Sequence, residues 1–148
     1  MFSIKTYNDS YKVDWNNFVD ISKNSTFLFK REFMEYHAEK FDDFSLLIFY
    51  NSELIALFPC NIRDGEVYSH EGLSYGGIIV KSDIKFLKYL ELFTHLLNYF
   101  DEKLIKTLYI KQIPSIYNSN FNGELDYLSF VTGAKIYNLT ASYIRCGI

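Results

Sequence analysis

A chain of 148 residues with 49% apolar and 19% aromatic side chains has the length and apolar surface for one domain with a full core, which excludes a disordered polypeptide. Its net charge is −3, with lysines and glutamates interspersed and no basic block, so no electrostatic nucleic-acid interface is expected. No apolar run reaches the length of a membrane-spanning helix, and Met1-Phe2-Ser3-Ile4-Lys5 lacks the basic-then-apolar order of a signal peptide, so a cytoplasmic location is expected. Cys60 and Cys146 lie far apart and have no CxxC partner, which predicts reduced thiols and no metal site. In a cytoplasmic chain, Asn24-Ser25-Thr26 and Asn138-Leu139-Thr140 carry no glycosylation meaning. The aromatic excess, fourteen Phe and thirteen Tyr, fits either an AT-rich genome or surface buried against a further domain or a partner.

Residues 2–7 alternate weakly and predict a first strand. Val13, Trp15, Phe18, Val19 and Ser22 recur at helical spacing, so an amphipathic helix is expected to about Ser22, broken by Lys23-Asn24-Ser25. A second helix is predicted over 30–40, with Phe29, Phe33, His37 and Phe41 on one face. On that stripe His37 reads either as a hydrogen-bonded core histidine or as a substrate contact. Lys30 and Arg31 at its start read as surface charge or as a contact to an anionic ligand.

Residues 45–50 form a nearly continuous apolar run, as in a strand buried on both faces. A strand over 54–62 follows, and Pro59, which cannot donate to a ladder, predicts an edge or a bulge. Asp64-Gly65 is a hairpin signal, and a third strand begins at Val67, completing an antiparallel meander. Ser82-Asp83 is expected to cap a long helix ending near Asp101, with Lys88, Glu91 and His95 on its solvent face. A strand over 104–110 follows that helix, which predicts a parallel crossover. A short helix through Val131 closed by Gly133, and a last strand over 135–145, complete the chain. The expected fold class is mixed α/β: a central mixed sheet with an antiparallel meander, flanked by helices, in a single domain over 1–148.

One stretch departs from this pattern of buried apolar elements. Ser69-His70-Glu71-Gly72-Leu73-Ser74-Tyr75-Gly76-Gly77 packs three glycines, a histidine, a carboxylate, two hydroxyl side chains and a tyrosine between apolar runs. A Gly-Gly pair between strand-like runs marks a bulge, a tight turn or a ligand-facing backbone. Lys111 and Tyr117 follow the strand after the long helix, on the side where ligands bind in such sheets, or are simply exposed loop residues. There is no GxSxG, HExxH, P-loop or paired-cysteine metal site.

The element order resembles the GNAT acyltransferase fold. Residues 25–29, 31–37, 43–48, 69–77, 111–117 and 124–134 resemble the FemAB-like branch encoded with bacterial surface-polysaccharide genes. Proteins of that branch resemble two GNAT units in tandem, of which this chain is similar to the first. The resemblance implies transfer of an acyl group from acetyl-CoA or another acyl donor to an amine, on a small molecule or a sugar precursor. It also implies a possible partner in a second GNAT unit or a second copy of the chain. It implies a catalytic base in His70 or Glu71, which otherwise read as a hydrogen-bonded strand-end residue and a solvated turn carboxylate, and in Tyr75 an acid or a group that positions the acceptor, which otherwise reads as a core residue; the Gly76 and Gly77 N–H groups would bind an oxyanion or a donor phosphate. His37, Lys111 and Tyr117 fall to the acceptor. No metal is implied. Acetyl-CoA-binding members carry Arg/Gln-x-x-Gly-x-Gly/Ala before the long helix; here residues 75–83 depart from that pattern, and Asp83 would repel phosphate. The alternative expectation is a non-catalytic half that binds an acceptor or docks with a second domain.

Overall fold

A computed structural model describes residues 1–36, 38–118 and 123–138 of the chain. The expected position of His37 and most of the expected last strand lie outside the described residues; 135–138 are described and carry no regular structure.

The elements in chain order are β1 (Phe2–Thr6), α1 (Lys12–Ile21), α2 (Arg31–Glu35), β2 (Asp42–Asp43), β3 (Leu46–Tyr50), β4 (Glu53–Phe58), β5 (Asn61–Arg63) and β6 (Glu66–Tyr68). They continue with β7 (Ile79–Val80), α3 (Phe86–Glu102), β8 (Leu108–Tyr109) and α4 (Glu124–Val131). The strands form two four-stranded sheets, ordered β1-β3-β4-β7 and β2-β5-β6-β8. Among the described residues every pairing of these strands is antiparallel except β6 with β8, which the α3 crossover makes parallel.

The single sheet expected from sequence is divided at Pro59. Proline has no N–H for the ladder, and β4 stops at Phe58. Buried Ser45 fills the gap: the Cys60 N–H donates to its Oγ at 3.3 Å, while the Phe44 N–H donates to the Cys60 carbonyl at 2.9 Å. Pro59 therefore marks a break in the middle of the fold rather than an edge.

β3 is buried on both faces, as its apolar run requires. Leu46 and Ile48 face a core with Tyr89, Leu92, Leu96 and Phe100 of α3. Leu47 faces a second core with Trp15, Phe18 and Val19 of α1 and with Phe29 and Met34. Trp15 is fixed there by its indole N–H donating to the Phe29 carbonyl at 2.7 Å.

Two helices differ from expectation. α2 stops at Glu35 and buries Arg31 and Met34, while Phe33 is 40% exposed. Arg31 is thus not a surface charge. Its guanidinium lies 3.6 Å over the Tyr7 ring, donates to Asp43 and approaches Glu35 at 3.4 Å. Burial pushes the Asp43 carboxyl up, but Arg31 and hydrogen bonds from Ser45 and Arg31 outweigh it and hold the group below its ordinary value. α3 begins at Phe86 after Lys85, which provides no side-chain cap, so Ser82-Asp83 lies in the preceding turn. α4 ends as read: the Gly133 N–H donates to the Phe130 carbonyl and the Ala134 N–H to that of Ser129, with Gly133 at φ +68°.

Candidate functional site

β5 and β4 run against β6 and β7, but the two pairings are out of register. Ile62 pairs with Val67, whereas Leu57 pairs with Ile79. The short span from Leu57 to Ile62 therefore faces the long span from Val67 to Ile79, and residues 69–78 bulge out as an excursion from one strand. The polar stretch singled out in the sequence is this excursion.

Its base is stitched to the strand beside it. The Ser69 N–H donates to the Tyr109 carbonyl at 2.8 Å, the Lys111 N–H to Ser69 Oγ at 2.7 Å, and the Gly76 N–H to the Lys111 carbonyl at 3.0 Å. A Cβ on Gly76 would stand 2.0 Å from the Ser69 carbonyl oxygen, so only glycine allows this approach. Gly77, at φ +99°, turns the chain back into β7. Its N–H has no hydrogen-bond partner among the described residues.

His70 takes a left-handed backbone, φ +58°, and is 4% exposed. Its ring packs against Phe41 with centroids 5.7 Å apart, a contact that Gly72 permits because a Cβ there would meet both rings. The Glu71 carboxylate is engaged at both oxygens, by Asn61 Nδ2 at 2.8 Å and Arg63 at 2.7 Å. Asn61 also accepts from the Glu71 N–H at 2.8 Å, closing a two-point clamp. The Lys111 ammonium turns inward and donates to the carbonyls of Leu73 at 2.8 Å, Glu71 at 3.0 Å and His70 at 3.3 Å. Burial lowers its pKa, against the opposing attraction of Glu71.

The structure brings Tyr75 and Tyr117 together. Tyr117 ends a 3-10 turn over Ser115–Tyr117, and the Tyr75 hydroxyl donates to the Tyr117 hydroxyl at 3.2 Å. That bond, with burial second, raises the Tyr75 pKa above its ordinary value. The Tyr75 phenol therefore keeps its proton at neutral pH, at the rim of the excursion. His70, Glu71, Tyr75, Gly76, Gly77, Lys111 and Tyr117 thus lie on one excursion and the strand and turn beside it. Asn61 and Arg63, which hold Glu71, were not singled out in the sequence, because their role depends on a pairing between strands.

Behind the excursion, the outer edge of β7 is covered by residues after α1. Asn24 Nδ2 donates to the Ile78 carbonyl at 2.8 Å, the Val80 N–H donates to Asn24 Oδ1 at 2.9 Å, and the Lys23 N–H donates to the Val80 carbonyl at 3.2 Å. Among the described residues no three His, Cys, Asp or Glu side chains gather to hold a metal ion, and no helix is long and apolar enough to cross a membrane.

No family model and no curated protein matches the sequence. Solved structures do. The ribosomal-protein-S18-alanine N-acetyltransferase from Escherichia coli shares 16% identity at a TM-score of 0.52, over 73% of this chain and 64% of that one, less than two thirds of its length. The aminoglycoside acetyltransferase AAC(6')-Iy, in complex with a CoA-containing bisubstrate analogue, shares 14% identity at a TM-score of 0.58, over 99% of both chains. A GNAT family acetyltransferase from Staphylococcus aureus shares 10% identity at 0.54, over 98% of both. The chain has the fold of the GNAT N-acetyltransferases. A CoA group, however, does not fit the residues as they stand: the β7 edge and the Gly76 N–H are already hydrogen-bonded within the chain, and α3 starts without a glycine turn or a side-chain cap.

Proposed function

We propose that the chain is an N-acyltransferase unit that moves an acyl group from an activated donor to an amine, with the excursion 69–77 as its centre. The observation that carries this reading is the Tyr75–Tyr117 hydroxyl pair at 3.2 Å, set beside the excursion in a fold shared with N-acetyltransferases. In the proposed reaction the amine nitrogen attacks the acyl carbon and its proton passes to His70. The acyl–leaving-group bond breaks as the tetrahedral oxyanion collapses, and Tyr75, relayed by Tyr117, protonates the leaving group. The Gly77 N–H is a backbone donor available for the oxyanion. Glu71 anchors the excursion through Asn61 and Arg63. Lys111 shapes it by gathering three carbonyls, and His37 stays with the acceptor side as a proposal from sequence.

The resemblance to the FemAB-like branch favours an amino-sugar precursor of polysaccharide or cell wall as acceptor, a cytoplasmic site of action, and a second GNAT unit or second copy as partner. The covered β7 edge favours a second reading, a non-catalytic half that binds an acceptor or docks with another domain.

The test is thiol release from acetyl-CoA by the purified chain, across amines that include amino sugars. Tyr75→Phe and Tyr117→Phe are each expected to lower kcat by about 100-fold while leaving KM unchanged. No thiol release with any amine, from the folded wild type or from a folded variant with the Lys23–Glu124 pair removed, would refute the enzyme and leave the binding module.

A further inference from the structure

We infer that Ser22-Lys23-Asn24 is a clasp that occupies the β7 edge as an intramolecular ligand, and that an extended, amide-bearing ligand gains this edge only when the clasp is displaced. The inference rests on the acyl-transfer reading and adds regulation to its site. Among the described residues β7 pairs with a strand on one side only, with β4, so its other edge would present unpaired backbone groups. Those groups are satisfied by a substitute. The Asn24 carboxamide gives its N–H to the Ile78 carbonyl and takes the Val80 N–H, a donor and an acceptor that an extended ligand would supply to a strand edge from two successive amides. The Lys23 N–H closes on the Val80 carbonyl, and Ser22 bridges Lys81.

The clasp has a latch. The Lys23 ammonium, 4% exposed, is 2.6 Å from Glu124 at the first residue of α4. This pair ties the segment after α1 to the helix that follows the Tyr117 turn. Leu125 of the same helix lies 3.8 Å from where a Cβ on Gly77 would stand, so the latch sits against the excursion itself. The second Glu124 oxygen, Oε2, is buried with no hydrogen-bond partner among the described residues, so Lys23 holds this carboxylate through its other oxygen.

Lys23→Met combined with Glu124→Gln removes the latch without leaving a lone buried charge. The measurements are amide hydrogen exchange at Val80 and calorimetric binding of pantetheine and of acetyl-CoA, with the thermal transition confirming that the variant folds. Faster Val80 exchange in the variant, binding about tenfold tighter than wild type and Val80 protection restored by the ligand are expected. Unchanged affinity in a folded variant would overturn the clasp. Wild type that transfers acyl groups and binds the donor with Val80 exchange unaltered would overturn the clasp and leave the enzyme standing. A variant whose Val80 opens but which, like wild type, binds neither probe would overturn both.

Discussion

Gly76 shows how one missing methyl group sets the geometry of the site. Its backbone lies against the Ser69 carbonyl, 2.0 Å from where a Cβ would stand, and that carbonyl belongs to a backbone already bonded to Tyr109. Gly76→Ala is therefore expected to destabilise the protein by about 2–3 kcal/mol, because backbone must move rather than a side-chain tip. Gly65→Ala is a fair control: Gly65 has φ +77° but nothing within 4 Å of an added Cβ, so only the roughly 1–2 kcal/mol cost of the left-handed backbone applies. Denaturant midpoints of the two variants check the order, and equal shifts would remove the special standing of Gly76. At this scale the sequence marked the residues but not their partners. It grouped Gly76 with Gly77 and gave both one role, whereas one permits a close approach and the other supplies a positive φ. Arg31 looked like surface charge because Asp43, Ser45 and Tyr7, which make its burial tolerable, come from other elements.

Among elements, the excursion between β6 and β7 is held from the side by the segment after β8. Lys111 binds three of its carbonyls through one ammonium, and its own backbone binds Ser69 and Gly76. Lys111→Met keeps the stem and deletes the donors. Amide exchange at Leu73 and Gly76 is expected to speed up at least tenfold while global stability changes by about 1 kcal/mol or less, with Lys111→Arg restoring part of the protection. A uniform rise in exchange across the chain would instead make Lys111 a global stability residue. The periodicities that predicted α1, α3, α4 and the meander were legible because each element buries a face that repeats along the chain. The excursion was legible only as an interruption, because a register difference between two strand pairings has no local signature. The end of α2 at Glu35 was missed for a related reason. The Phe29–Phe33–Phe41 stripe has the right spacing, but Arg31 and Met34 found the better contacts.

At the scale of the whole molecule, the described residues form two cores that share the β3–β4 ladder as a wall. Leu96 belongs to the α3 side and Trp15 to the α1 side, and the two belong to separate clusters. Leu96→Ala and Trp15→Phe are expected to destabilise additively within about 0.5 kcal/mol, measured by denaturant unfolding of the single and double variants. A larger coupling would mean that the sheet transmits strain instead of separating the cores. The fold class was readable at this scale because it depends on the sum of many apolar repeats, which no single misplaced cap can alter.

The wall also fixes both ends of the excursion, one against β5 and the other against β4. Its length is therefore independent of the alignment of every other strand. Adding a residue beside exposed Ser74 lengthens a loop whose ends cannot move, and the entropy of closing it rises only with the logarithm of its length. On the proposed acyl-transfer reading, the chemistry hangs from a segment that can be lengthened, shortened or re-lettered between two nailed points, so a change of substrate need not be a change of fold.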